Sequence, residues 1–261
     1  MCIGQAARIC INFRRFDPTE VLILSGVLER ISPNIVRIKV EVGEDVGNGS
    51  GVIARDETIF TCEHVINPYD VTPTSIKVVT SDGKTCTPEV IQSDRGRDLA
   101  ILRVKGLKGS CVFGNYEQVK VGDECYILGY PIGLLHLTTL KGMISAKGRD
   151  LGSGLPFDVL QIDARINIGN SGGAVIDTIT GKLIGIVSMK YIPFLERVSE
   201  MQRFVKGLPK APSWGKVGIM GIDFGELYNY INQGFGTVLA ALKLVQVGIG
   251  WAIPIDVFET S

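Results

Sequence analysis

Apolar and polar residues alternate along much of this chain, and the alternation falls into two separate groups. Residues 35–42, I-V-R-I-K-V-E-V, place an apolar side chain at every second position, the period of a strand with one buried face. Stretches near 51–54, 58–62, 75–80, 88–92 and 98–104 continue the pattern. A second group runs through 124–130, 137–147, 158–163, 173–177, 182–189 and 248–254. Between them stand turn sequences such as G-N-G-S-G at 47–51 and S-D-G-K at 81–84, whose Gly, Asn and Asp accept backbone angles closed to most residues. Two groups of about six short strands predict an all-β fold of two packed barrels rather than one open sheet.

Helical spacing interrupts that rhythm. Residues 18–31 predict a helix, with Asp17 as its cap, Pro18 in the first position and Pro33 ending it. Residues 194–205 carry apolar positions at helical spacing, and 223–244 predict one or two helices broken near Gly234 and Gly236. A Gly/Pro-rich connector, G-L-P-K-A-P-S-W-G-K, lies between. The chain therefore divides into an N-terminal segment with its leading helix (1–33), a first barrel (34–120) and a second barrel (121–261) carrying a helical insertion at 191–247.

Composition narrows the function classes. The 27 Lys/Arg balance 27 Asp/Glu and are scattered, so no basic field exists to hold nucleic acid. Gln5, Arg8 and Asn12 break the opening residues, which lack the apolar core of a signal peptide. No stretch predicts a membrane span, and the expected location is the cytoplasm. Six cysteines, at 2, 10, 62, 86, 111 and 125, form no C-x-x-C pair, and there are two histidines. A structural zinc site is not expected, nor any other metal or cofactor. The cysteines read as small, mostly buried hydrophobes.

The candidate chemistry lies at 167–173, N-I-G-N-S-G-G. It sets Ser171 between Gly169 and the pair Gly172–Gly173, where the chain can turn tightly enough to aim backbone N–H groups at one point. A serine hydroxyl is a weak nucleophile and needs a base within hydrogen-bond reach. T-C-E-H-V supplies His64, whose imidazole can take a proton and return it. R-D-L-A-I-L-R-V supplies Asp98 at the head of a strand. Asp94, in S-D-R-G-R-D, competes for the orienting role but reads as a turn residue. His136 lies in an apolar, strand-like stretch and reads as structural.

Further blocks fall in one order along the chain: L-E-R-I-S-P-N-I-V-R-I-K-V, G-N-G-S-G-V-I-A, V-G-D-E-C-Y-I-L-G-Y-P-I-G-L, I-D-A-R-I-N-I-G-N-S-G-G-A-V and G-I-G-W-A-I-P-I. Together they resemble a trypsin-like serine peptidase, and most the peptidase domain of the HtrA/Deg family, over roughly 28–190 and 247–256. The resemblance implies a double β-barrel with the site in the cleft between barrels, and a triad of His64, Asp98 and Ser171. It implies an oxyanion hole from the N–H groups of Gly169 and Ser171, with Asn170 between them. It puts Arg165, six positions before the serine, at the base of the primary pocket, to meet an acidic substrate side chain, pair with Asp163 or another carboxylate, or swing to solvent. Ser188, Met189 and Lys190 would form one pocket wall and pair with substrate backbone, with Gly248 and Gly250 on the opposite wall.

The implied activity is endopeptidase cleavage of protein substrates through an acyl-enzyme. The other reading is a catalytically silent trypsin-like module that binds polypeptides, chaperone-like or as a scaffold. Partners are then protein or peptide substrates, without nucleic acid or a membrane span. Self-association into a homo-oligomer stays open. The sequence runs seven residues past Pro254, so the family's C-terminal PDZ domain is not expected. The insertion at 191–247 packs over the cleft, makes an oligomer contact or decorates the barrel's back.

Overall fold

A computed structural model describes residues 26–43, 45–68, 72–149, 151, 155–189, 201, 204–205, 207, 218–219, 222–242 and 248–259. Residues 26–31 are helical and end in a 3-10 turn, Ser32–Asn34. The chain then enters β1 (Ile35–Val42), where the alternation seen in the sequence becomes burial. Val36, Ile38 and Val40 are fully buried, while Lys39 and Glu41 face outward. An antiparallel partner, β2 (Asp45–Arg55), pairs Ile35 with Val52 and runs to Val42 opposite Asp45.

Five more strands complete the first sheet: β3 (Thr58–Thr61), β4 (Ser75–Val79), β5 (Thr85–Cys86), β6 (Glu89–Asp94) and β7 (Leu99–Arg103). Their order is β5-β4-β1-β2-β3-β7-β6, so the first unit is a half-barrel with open edges rather than the closed barrel that strand counting predicts. The second sheet does close. Its strands are β8 (Glu124–Gly129), β9 (Thr138–Gly148), β10 (Val159–Asp163), β11 (Ala174–Asp177), β12 (Leu183–Ser188) and β15 (Ile249–Pro254), in the order β10-β15-β12-β11-β8-β9. Ile127, Ile144, Leu160, Ile162, Val175 and Val187 fill its core at zero exposure, each worth about 1.5–3 kcal/mol of burial. The all-β double-barrel class is borne out.

The two sheets are tied by a short C-terminal helix, Ile255–Glu259, that no periodicity in five residues could announce. It carries Phe258 from the end of β15 onto Phe60 of β3, ring centroids 4.9 Å apart, and buries Ile255. The predicted break at Gly234 and Gly236 does not occur: a two-strand hairpin, β13 (Gly218–Ile219) and β14 (Ile222–Asp223), leads into one continuous helix, Phe224–Leu242. A helix interior tolerates glycine at a cost of about 1 kcal/mol each. Of the expected helix at 194–205, residues 201, 204 and 205 are described and helical, and 18–25 lie outside the described residues. His136 is exposed in a bend before β9, not in a strand. Among the described residues no helix is long and apolar enough to cross a membrane.

Candidate active site

Asp98 sits where a turn hands the chain to β7. Its φ of 54° is left-handed, a region that Asp and Asn enter more readily than most residues. That conformation folds the side chain back under the helix Glu63–Ile66. Its carboxylate is fully buried. Both oxygens lie 2.9 Å from His64 Nδ1. Oδ1 also accepts the His64 backbone N–H at 3.1 Å, and Oδ2 accepts the Ser188 hydroxyl at 2.6 Å. Burial alone would raise the Asp98 carboxyl. The facing His64 charge, its ring hydrogen bond, the Ser188 hydroxyl and the His64 amide outweigh it and hold the carboxyl below its ordinary value. Asp94 is engaged elsewhere, accepting from Arg97 Nε at 2.7 Å and from the Arg97 amide.

His64 spends Nδ1 on Asp98, so Nε2 is the nitrogen left for an incoming proton. Its side chain is 27% exposed, half-buried at the seam between the sheets.

Ser171 comes from the other sheet, on a loop wound tightly before β11. The N–H of Asn170 donates to Asn167 O at 3.0 Å, that of Gly172 to Val187 O at 2.8 Å, and that of Gly173 to Asn170 O at 2.8 Å. Among the described hydrogen bonds none consumes the N–H of Gly169 or that of Ser171. Gly172 has to be glycine: at φ 83° an added Cβ would lie 2.0 Å from Ser50 O. Ser171 is 4% exposed, and its Oγ accepts the Met189 N–H at 3.3 Å. Among the described residues no hydrogen bond joins that hydroxyl to His64. The hydroxyl is turned toward Met189, just past the end of β12.

Sequence reasoning missed Ser50, although its place between two glycines inside an alternating strand was a signal. Its Oγ donates to Gly169 O at 2.7 Å and accepts the Tyr130 N–H at 2.8 Å. Its own N–H donates to Ser171 O at 2.8 Å. Thr61 Oγ1 holds the Ser50 carbonyl at 2.7 Å. One buried serine of the first sheet thus fixes the carbonyls of two residues in the nucleophile loop of the second.

The expected substrate residues divide. Ser188 is buried, and its hydroxyl serves Asp98 rather than an open wall. Met189 is half-buried, with its amide on Ser171. Lys190 lies outside the described residues. Arg165 is exposed, while its neighbour Ile166 is 4% exposed. Ile166 packs so closely on Gly250 that a Cβ there would meet its Cδ1 at 2.4 Å. Gly248 O accepts the Ala164 N–H at 3.2 Å, tying β15 to the start of this segment.

Among the described residues, Cys62, His64 and Asp98 form the one group with metal-ligand atoms within 4.8 Å of one another. Its thiol donates to Val187 O at 3.1 Å. Burial first, then the charge of Asp98, push that thiol well above its ordinary value. A protonated, buried thiol is a poor ligand, since metals take the thiolate.

Comparison with known proteins identifies the family. Residues 49–186 match the family described as "Trypsin-like peptidase domain". A "Probable periplasmic serine endoprotease DegP-like" of Brucella suis is 39% identical over 152 residues, 57% of this chain and 28% of that protein. The chain thus spans little more than a quarter of that relative's length. The solved structure titled "HtrA-type protease AlgW with tripeptide" superimposes with a TM-score of 0.61 at 26% identity, covering 90% of this chain and 60% of that one. The "Rv3671c protease from M. tuberculosis, active form" gives 0.56 at 28% identity, over 68% of this chain and 78% of that one. The cytoplasmic expectation is overturned by such relatives, which are named periplasmic. Charge balance and cysteine spacing describe a folded barrel and carry no address. The chain belongs to the trypsin-like peptidase family, and the relatives and solved structures it resembles are HtrA-type proteases.

Proposed function

We propose that Ser171 is the nucleophile of an endopeptidase, with His64 as its base and Asp98 as the group that orients and charges the ring. The carrying observation is the Asp98 carboxylate, buried and held by His64 Nδ1, the His64 amide and the Ser188 hydroxyl. With Nδ1–H committed to that carboxylate, Nε2 accepts the proton of Ser171 as its oxygen attacks a peptide carbonyl. The carbonyl oxygen, gaining negative charge, enters the space before the unconsumed N–H groups of Gly169 and Ser171. One such donor is worth on the order of 10²–10³ in rate. His64 then returns the proton to the departing amine, and a water repeats the sequence on the acyl-enzyme. The Met189 N–H now on Ser171 Oγ is released when an extended substrate pairs with the segment that follows β12.

The apolar contact of Ile166 on Gly250, with Arg165 turned to solvent, favours a small apolar side chain before the scissile bond. The names of the Brucella and similar relatives favour a periplasmic location, which cell fractionation with an antibody would test. Incubation with an unfolded protein substrate, with Ser171→Ala alongside, tests the activity. Cleavage should fall by a factor on the order of 10⁶ in the variant, and the cut sites should be enriched in small apolar residues. Cleavage that survives Ser171→Ala removes the assignment. A second reading, polypeptide binding without cleavage, draws on the hydroxyl's bond to Met189 rather than to His64. It predicts binding of unfolded chains with no products from either protein.

A further inference from the structure

A cavity of about 460 Å³ opens on the outer face of the first sheet, lined by Arg37, Lys39, Glu41, Lys77, Tyr130 and Leu135 among others. That volume lies within the range of small-ligand sites. Three features set it apart from a solvated strand face. Arg37 is only 8% exposed, yet among the described residues its guanidinium has no hydrogen bond and no ion pair. Its nitrogens are not among the atoms sealed from solvent, so they are open to an incoming acceptor. Lys39 stands directly opposite Lys77 in the β1–β4 register, and like charges facing each other across strands destabilise the pair. Lys77 Nζ has a hydroxyl partner, Thr87 Oγ1 at 2.8 Å, which leaves the repulsion uncompensated. Glu41 is the one carboxylate on the lining, and among the described residues it forms no ion pair with the three cations. The remaining wall is mixed: Thr80, Ser81 and Thr85 add hydroxyls, and Val79, Leu135 and the Tyr130 ring add an apolar side.

We propose that this cavity is a binding site for an oxyanion, a carboxylate or a phosphate, seated between the Arg37 guanidinium and the opposed Lys39–Lys77 pair. The anion gives the fork of Arg37 the acceptors it lacks and screens the two ammonium groups from each other. An apolar part of the same ligand lies against Val79 and Leu135. The site is built differently from the cleft at Ser171 and does not depend on the peptidase reading. It touches that cleft at one point: Tyr130, on its wall, donates its N–H to Ser50 Oγ, which donates to Gly169 O.

The test uses the full chain as Ser171→Ala, so that it does not digest itself. It is titrated with inorganic phosphate and, separately, with a short peptide bearing a free C-terminal carboxylate. The same peptide as its C-terminal amide and sodium chloride at matched ionic strength serve as references. A saturable rise in melting temperature with phosphate, with the carboxylate peptide or with both supports the site and names the head group. Arg37→Met should then weaken binding by about tenfold or more, the loss expected for a charge-assisted hydrogen bond. Lys77→Gln should melt higher than the parent in anion-free buffer, because the repulsion is gone, and should bind about tenfold more weakly. If Arg37→Met does not fold, Lys77→Gln decides alone. No saturable response to either oxyanion, or affinity unchanged in Lys77→Gln, overturns the proposal.

Discussion

At Gly172 a single methyl group is enough to break the site. Alanine there must hold φ near 83° and place its Cβ against the Ser50 carbonyl, with Thr61 Oγ1 at 2.3 Å as the next obstacle. Strain and overpacking together cost about 3 kcal/mol or more, so Gly172→Ala should lower the denaturant midpoint sharply, and an unchanged midpoint would refute the close approach. Asp98 makes a prediction in pH. Its folded-state carboxyl is held below the unfolded value of about 3.9, so the stabilisation it contributes is present above roughly pH 4 and is lost as pH falls through the folded value. Melting temperature followed from pH 6 to pH 2 should drop less steeply in Asp98→Asn than in the parent. The contact of His64 with Asp98 could be anticipated in the sequence because each sits in a short motif with a local reason for its neighbours, while the role of Ser171 stays with the proposal. The hydroxyl of Ser188 was misread as a pocket wall because its partner lies 90 residues away, and only the docking of the two sheets brings them together. Arg165 was placed by counting back from Ser171, but counting cannot say that Ile166 turns inward instead.

Between elements, the decisive link runs from β2 to the nucleophile loop. Ser50 replaces what would otherwise be three unmet polar groups: the Gly169 carbonyl, the Tyr130 N–H and the Ser171 carbonyl. Ser50→Ala keeps the backbone bond to Ser171 and removes the other two. Losing them should cost about 1–3 kcal/mol of stability and lower kcat by about tenfold, with KM little changed, because the loop that aims the Gly169 N–H is loosened. A variant with full kcat would show that the loop holds itself. The strands themselves were readable, since alternation at 35–42 translates directly into buried Val36, Ile38 and Val40. The long helix was misjudged at Gly234 and Gly236, where an added Cβ would meet nothing within 4 Å. Such glycines weaken a helix without ending it.

For the molecule as a whole, two sheets each supply what the other lacks. The half-barrel brings the imidazole and its carboxylate; the closed barrel brings the hydroxyl and the free amides. Phe258 on Phe60, the Ser50 bonds and the Ser188–Asp98 bond fasten the halves across that seam. Strand count made the double-barrel class legible, but the open first sheet was not, because closure depends on strand ends and tilt rather than on periodicity. Location was not legible at all. The central claim is that His64 activates Ser171 in this cleft, and covalent labelling by a fluorophosphonate probe, followed by mass mapping of the modified residue, tests it most directly. The account predicts one label per chain, on Ser171, abolished in Ser171→Ala and slowed by orders of magnitude in His64→Ala. A protein that stays unlabelled while folded, or that carries the label on another residue, would contradict it.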